Sequence, residues 1–363
     1  LAALVLAGDS PDIVTAHQGY PALVVQEVIQ PVDGIIDFNL DIMKPREAMY
    51  QQYEIDGKHY WLPWVAPIMQ HIYFNKAMFT DNNLETPDEL FLKGEWDWNK
   101  FLEYAQELTV DDDGDGIPEI WGVSMCIWHD ARFVTTTGEL LVRFDGDRLV
   151  SNLGSSNIQR AYTFLADMTL RHRVADPNRD PNSVLDVFNS GKSAMLVAPF
   201  FWGGTDNAFP DIKKAKNYGW VPFPKDPQAD RHYVEAQGIG FYVPVGSKNL
   251  PGVEAFMYSA VTAMEQLAVP GSKNAEEAKQ RFLDTWGEYG YTEEDVAKNT
   301  EFNNHVDSIV TYITNPFSDL LETSLIHEDL IGWGGNTPKT FEQARSEREP
   351  GLLELIDNIF NIE

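Results

Sequence analysis

Residues 111–119 read Asp111-Asp112-Asp113-Gly114-Asp115-Gly116-Ile117-Pro118-Glu119, and binding a hard cation is the chemistry such a run can do. Carboxylates at positions 1, 3 and 5, glycine at 6 for the sharp turn and a backbone carbonyl at 7 supply the oxygen shell that Ca²⁺ takes. Asp111, Asp113, Asp115 and Ile117 are therefore the expected ligands. Position 12, where that pattern wants a bidentate Glu, is Gly122, so Glu119 or a residue from elsewhere must close the shell. The alternative is a solvated acidic turn following a helix. An ion held there would be structural.

A second kind of chemistry is suggested by the 20 Phe, 14 Tyr and 10 Trp, several of which stand beside breaks in regular structure. A pyranose ring has an apolar C–H face that stacks on Trp or Tyr and a rim of hydroxyls that needs Asp, Asn, Gln or His. Aromatic residues are also ordinary core filler, so position has to decide. Covalent chemistry finds little support. Gly191-Lys192-Ser193 imitates the end of a P-loop, but the glycine needed five places earlier is Asp186. There is no Gly-x-Ser-x-Gly elbow, His-Glu-x-x-His or dinucleotide fingerprint. A carboxylate pair for glycoside hydrolysis stays open in so acidic a chain, though nothing singles one out.

The elements that must position these residues are helices alternating with short strands, the pattern of α/β lobes. Phe101, Tyr104, Ala105 and Leu108 follow helical spacing behind Asp97, a fitting N-cap. Val253, Phe256, Met257, Ala260 and Met264 predict a helix opened near Pro251, and Ile158, Tyr162, Leu165 and Met168 another. Leu352, Leu355, Ile356 and Ile359 predict one near the end. Ile13 to Ala16 and Gly238 to Val245 read as buried strands, and the stretch from Gln266 to Glu276, with Pro270 and Gly271, reads as a surface loop. Asp56-Gly57 is a tight-turn dipeptide. His59 to Trp64 is too aromatic, and too interrupted by Pro63 and Pro67, for the middle of a sheet, and it reads as a crossing between two lobes.

Together with Gly8-Asp9-Ser10-Pro11-Asp12-Ile13-Val14, Phe188-Asn189-Ser190-Gly191-Lys192-Ser193-Ala194-Met195 and Tyr218-Gly219-Trp220-Val221-Pro222-Phe223-Pro224, that stretch resembles the extracellular solute-binding proteins (family 1) of bacterial sugar ABC importers. The resemblance spans nearly the whole chain. It implies a type II periplasmic-binding-protein-like α/β fold, with residues 1–67 and 237–312 in lobe one and 68–236 and 313–363 in lobe two. Crossings are expected near Val65 to Gln70, near Gln237 and between His305 and Leu320. By the same resemblance lobe one lacks its first strand and most of its first helix, through truncation or as an unusual member.

Ligands of open α/β sheets sit at the carboxyl ends of strands. His17 and Gln18, just past the Ile13 to Thr15 strand, lie where related proteins supply polar contacts. Trp61 and Trp64 border the first crossing, with Gln70 on its far side. Phe201 and Trp202 follow the run Ala194 to Pro199 in a loop where the family often places a stacking ring. Trp220, Gln237 and Trp333 complete the candidate set. The resemblance implies capture of a carbohydrate, expected to be an oligosaccharide, and delivery to an ABC permease by a monomer lipid-anchored outside the cytoplasmic membrane. No bond is made or broken in that reading. The alternatives are a secreted glycoside hydrolase or lyase, and a binding protein for a non-sugar solute.

Composition sets outer limits. The balance of 27 basic against 56 acidic residues gives a net charge of −29, which repels a phosphate backbone and makes nucleic acid a poor partner. Cys126 is the only cysteine, so neither an internal disulfide nor a multi-Cys zinc site can form, and it is expected to be buried as a small apolar side chain. No apolar run is long enough to span a bilayer. Leu1 to Ala7 lacks the basic flank and cleavage pattern of a secretion signal.

Overall fold

The computed structural model describes the chain except residues 16–19, 65–67, 128, 199–209, 238, 269–272, 287–291, 295–296, 299–300, 303–307, 311–316, 318 and 361–363. The larger lobe is built on a four-stranded sheet in the order Tyr218–Pro222, His71–Asn75, Ser193–Ala198, Trp121–Met125. His71–Asn75 runs antiparallel to both neighbours, whereas Trp121–Met125 and Ser193–Ala198 are parallel. That parallel pair needs a crossover, and the helices Ser156–Leu170 and Pro181–Asn189 lie in the connection. All six residues of Ser193–Ala198 are buried, as expected for a strand covered on both faces. The helix Trp98–Glu107 packs hard on this sheet. A Cβ at Gly122 would sit 2.0 Å from the Ala105 carbonyl oxygen, so glycine sets the approach.

The local signals explain these helices. Asp97 caps Trp98–Glu107 by accepting the Lys100 N–H at 2.9 Å, and Phe101, Tyr104, Ala105 and Leu108 are buried. Ile158, Tyr162, Leu165 and Met168 are buried likewise. Two sequence-derived faces need correction. In Leu250–Ala268 the buried stripe is Val253, Met257 and Val261, while Phe256 is 44% exposed and meets Phe241 edge-on at 5.5 Å. In Phe341–Phe360 it is Leu352, Ile356 and Ile359, and Leu355 stands out at the surface. Both exceptions sit one residue before a stripe position, on the flank of the apolar face. Of the expected 266–276 loop, residues 269–272 lie outside the described residues, and a helix Lys273–Trp286 has already begun by 273.

The smaller lobe pairs Leu62–Pro63 with Gly240–Phe241, with single bridges from Val14 to Tyr242 and from Ile29 to Pro244. Its core joins Val32, Ile36, Met43, Leu62 and Val243 to the buried stripe of Leu250–Ala268. A separate three-stranded sheet, in the order Ser308–Val310, Tyr233–Gln237, Ile68–Met69, uses the three segments at which the sequence places crossings. The expected boundary at 312–313 lies outside the described residues. Cys126 is buried.

Near these crossings a fully buried charge network ties three parts of the larger lobe together. Asp130 accepts from Arg179 Nε at 3.1 Å and pairs with His327 Nε2 at 2.8 Å, and all three side chains are 0% exposed. Arg179 also donates to Thr169 Oγ1 at 2.7 Å and to the Asp176 carbonyl. Burial alone pulls the Arg179 pKa down, and Asp130 and Asp176 oppose the shift. Removing one member of such a network leaves a buried charge uncompensated, at a cost of about 3–5 kcal/mol. Asp130→Ala is therefore expected to lose about that much stability, read as a shift in the urea midpoint at unchanged m-value.

Candidate functional site

The Asp56-Gly57 pair closes the hairpin Glu54–Ile55/Lys58–His59 with φ of 51° and 70°, the two positive values of a type I′ turn. This hairpin delivers Tyr53 and Trp61 to one place. Their rings stack at 4.5 Å and 28°, with Tyr20 4.7 Å and Tyr242 6.4 Å from Tyr53. Trp61 lies flat on the Gly240 backbone, where a Cβ would come within 2.4 Å of the indole. The larger lobe closes over this wall with Phe144, whose ring is 5.9 Å from Tyr20. Phe144 comes from the hairpin Val142–Asp145/Arg148–Ser151. A cavity of roughly 200 Å³, lined by Gln51, Glu54, Val142, Phe144 and Leu149 among others, runs along the same seam. It is smaller than a typical small-molecule pocket, about 300–1,000 Å³.

Behind the aromatic wall lie the polar groups. Ala236 opposes Met69 and Gln237 opposes Ile68 in the crossing-strand ladder, so Glu235 opposes Gln70, and the Gln70 N–H donates to the Glu235 carbonyl at 2.9 Å. Directly opposed residues project from the same face. Both side chains are 1% exposed. Arg132, on the turn of 3₁₀ helix Asp130–Thr137 that follows strand Trp121–Met125, donates to Glu235 Oε1 at 3.0 Å. Among the described residues, Glu235 Oε2 and both polar atoms of the Gln70 amide have no hydrogen-bond partner.

Burial sets the electrostatics. It pushes the Glu235 carboxyl up to about 7 against the pull of Arg132. His71 is driven down to about 3 and is neutral. The Tyr53 hydroxyl is pushed up to about 12, by burial first and then by the Glu235 charge. Tyr20 and Tyr242 are raised by burial as well.

The sequence-predicted residues fall in several places. Trp61 stands in the wall and Gln70 beside Glu235. Trp220, in its edge strand, faces the His71 ring at 6.3 Å. Trp64 stacks on Phe241 at 6.2 Å, and its buried Nε1 has no partner among the described residues. Trp333 meets His327 edge-on at 6.4 Å, beside the buried Asp130 network. The backbone of Gln237 lies in the crossing strand. His17, Gln18, Phe201 and Trp202 lie outside the described residues. Sequence reasoning missed Tyr53, Tyr242, Phe144, Arg132 and Glu235. The one visible signal was Glu235 itself, a lone acid inside the apolar run Tyr233-Val234-Glu235-Ala236.

The acidic loop forms its own cluster. Carboxylate oxygens of Asp111, Asp113 and Asp115 lie within 4.8 Å of one another, and all three residues are exposed. They also accept N–H groups of the loop, from Gly114 and Gly116 to Asp111 and from Ile117 to Asp115. Glu119 is turned instead to the Asp112 N–H at 2.8 Å. The loop precedes strand Trp121–Met125, at its amino end, whereas Arg132 follows the carboxyl end.

A family model described as bacterial extracellular solute-binding protein matches residues 1–266. The chain belongs to this family. It is 25% identical over 223 residues to the diacetylchitobiose binding protein DasA of Streptomyces coelicolor, across 60% of this chain and 48% of that protein. The match thus spans about half the length of that curated relative. Among solved structures it is similar to a sugar transporter from Rhizobium etli in an open conformation, with TM-score 0.65 and 19% identity over 100% of this chain and 88% of that one. It is also similar to an ABC substrate-binding protein from Listeria monocytogenes in complex with cycloalternan, with TM-score 0.64 and 19% identity over 98% and 88%. These likenesses establish the two-lobed type II fold expected from the sequence. The family is one of binding proteins that work outside the cytoplasmic membrane, extracellular or periplasmic.

For a solute-binding protein the raised Glu235 pKa has a stability cost. The unfolded chain ionises this carboxyl near 4.5 and the folded chain near 7, so between those values the folded state holds the extra proton and stability falls as pH rises. Glu235→Gln lacks this loss. Relative to wild type, the variant is expected to gain about 3 kcal/mol between pH 4 and pH 8, read from urea midpoints at both values. Carboxylates common to both proteins cancel in that difference.

Proposed function

We propose that this solute-binding protein captures a carbohydrate, an oligosaccharide, between its lobes and presents it to the permease of an ABC importer. The observation that carries this is the wall of Tyr20, Tyr53, Trp61 and Tyr242 set beside the open hydrogen-bonding atoms of Gln70 and Glu235. Flat rings suit the C–H face of a sugar, and amide and carboxyl groups suit its hydroxyls. Diacetylchitobiose is named for the Streptomyces relative, and structural neighbours hold cycloalternan or maltotriose. The groups are buried, so the solute enters when the lobes part about the crossing strands, and it holds them shut only by binding the closed form better.

The test is calorimetry with diacetylchitobiose, maltotriose, glycerophosphocholine, spermidine and a dipeptide. Binding of an oligosaccharide, recovered unchanged by chromatography and raising the melting temperature, is the expected result. Hydrolysed or eliminated product would make the protein an enzyme. Preference for one of the last three would make it a binder of another solute.

Around this function we place a monomer, carried at the cell surface by a lipid anchor, as the family resemblance implies. We also assign a structural Ca²⁺ to Asp111, Asp113, Asp115 and the Ile117 carbonyl, supported by the convergence of three carboxylates on one loop. Glu119 would have to turn from the Asp112 N–H to join them. Saturating Ca²⁺ at about 100 times its Kd is expected to stabilise the protein by about 2.7 kcal/mol. A chelator reverses the rise in melting temperature, Asp113→Ala abolishes it, and sugar affinity stays unchanged.

A further inference from the structure

The Gln70 and Glu235 side chains form a pair whose chemistry can be read in more detail. They oppose one another across the crossing-strand ladder and share a face. That face belongs to the strands that carry the crossings between the lobes, and the larger lobe meets it through Arg132. Side chains this deeply buried normally have partners, and each orphaned atom costs on the order of 1–3 kcal/mol. Three orphaned atoms on one small patch, an amide donor, an amide acceptor and a carboxyl oxygen, make a complementary surface for a ligand.

We propose that Gln70 and Glu235 contact the solute directly and set its specificity, holding two neighbouring hydroxyls of the sugar, with Arg132 fixing which oxygen of Glu235 faces it. This rests on the carbohydrate reading above. The Gln70 amide gives an N–H to one hydroxyl oxygen and accepts the proton of the other, and Glu235 Oε2 accepts from whichever hydroxyl has a proton left. Because Arg132 occupies Oε1, only one carboxyl oxygen is presented. A sugar lacking either hydroxyl would leave a buried group unpaired, which is how such a site rejects analogues.

Two variants, one apolar and one isosteric, test the assignment by calorimetry at pH 8.5, where the Glu235 carboxyl is ionised, using whichever member of the panel above binds wild type. Gln70→Leu is expected to weaken affinity about 10- to 100-fold, with the melting temperature of the unliganded protein unchanged or raised because a buried unpaired amide has gone. Glu235→Gln is expected to weaken affinity at least about 5-fold. Arg132 still demands an acceptor, so the new amide turns its oxygen to Arg132 and presents an NH₂ where the solute met an oxygen. Equal sugar affinity in wild type and both variants would overturn the assignment while leaving the carbohydrate reading intact. So would an unliganded Gln70→Leu protein that melts several degrees lower, since the amide would then serve the fold. If only a non-sugar member binds, and binds at least 10-fold more weakly to Gln70→Leu, the contact assignment stands and the carbohydrate reading falls.

Discussion

The antiparallel pairing of the strand at residues 68–70 with Tyr233–Gln237 is the constraint on which the rest of the molecule depends. Side chains alternate faces along a strand, so a slip of one residue in this ladder would leave Gln70 and Glu235 on opposite faces. The register is held on both sides, by the parallel pairing of Tyr233–Glu235 with Ser308–Val310 and by the Leu62–Pro63 and Gly240–Phe241 pair a few residues away in the same two segments. Gly240 has its own part in this. Its missing side chain lets Trp61 lie on the backbone, which lets Tyr53 stack on Trp61.

The two buried carboxylates near the crossings show how differently burial can be handled. Asp130 is matched on both oxygens, by Arg179 and His327, inside one lobe and away from water. Such a network fixes geometry. Glu235 is matched on one oxygen only, by an arginine across from its strand, and its carboxyl sits near the edge of ionisation. A fold selected for stability alone would have placed an apolar residue there, since replacing a half-satisfied buried charge is often neutral or stabilising. Its place beside Gln70 fits a group whose second partner arrives from solution.

Much of the scaffold was legible in the chain. Asp97 before a helical stripe, Asp56-Gly57 between short strand runs and the apolar run at 193–198 each specify a local structure through backbone chemistry that acts within a few residues. The site was legible only in part. Trp61 and Gln70 flank a crossing that prolines and aromatics mark in the sequence, but Tyr53, Tyr242, Arg132 and Glu235 meet through contacts between segments up to about 190 residues apart (Tyr53 to Tyr242). No periodicity reports such a meeting. The stripe errors at Phe256 and Leu355 have a different origin: both are apolar residues on the flank of a helix face, where spacing alone cannot separate packing from exposure.

Charge explains why a neutral solute suits this patch in a chain of net charge −29. The surface acids are exposed and screened, and beyond about a Debye length they contribute little inside the seam. Within it, Arg132 and Glu235 offset each other and burial keeps His71 uncharged. A phosphate-bearing ligand would meet an ionised Glu235 whose partner Arg132 is already engaged. A polyamine would find the Glu235 carboxylate already paired with Arg132 on one of its two oxygens. What remains presented is a set of dipoles and one oriented oxygen beside flat rings, and the gain from such groups is greatest for a solute that offers hydroxyl donors and acceptors without bringing a charge to be desolvated.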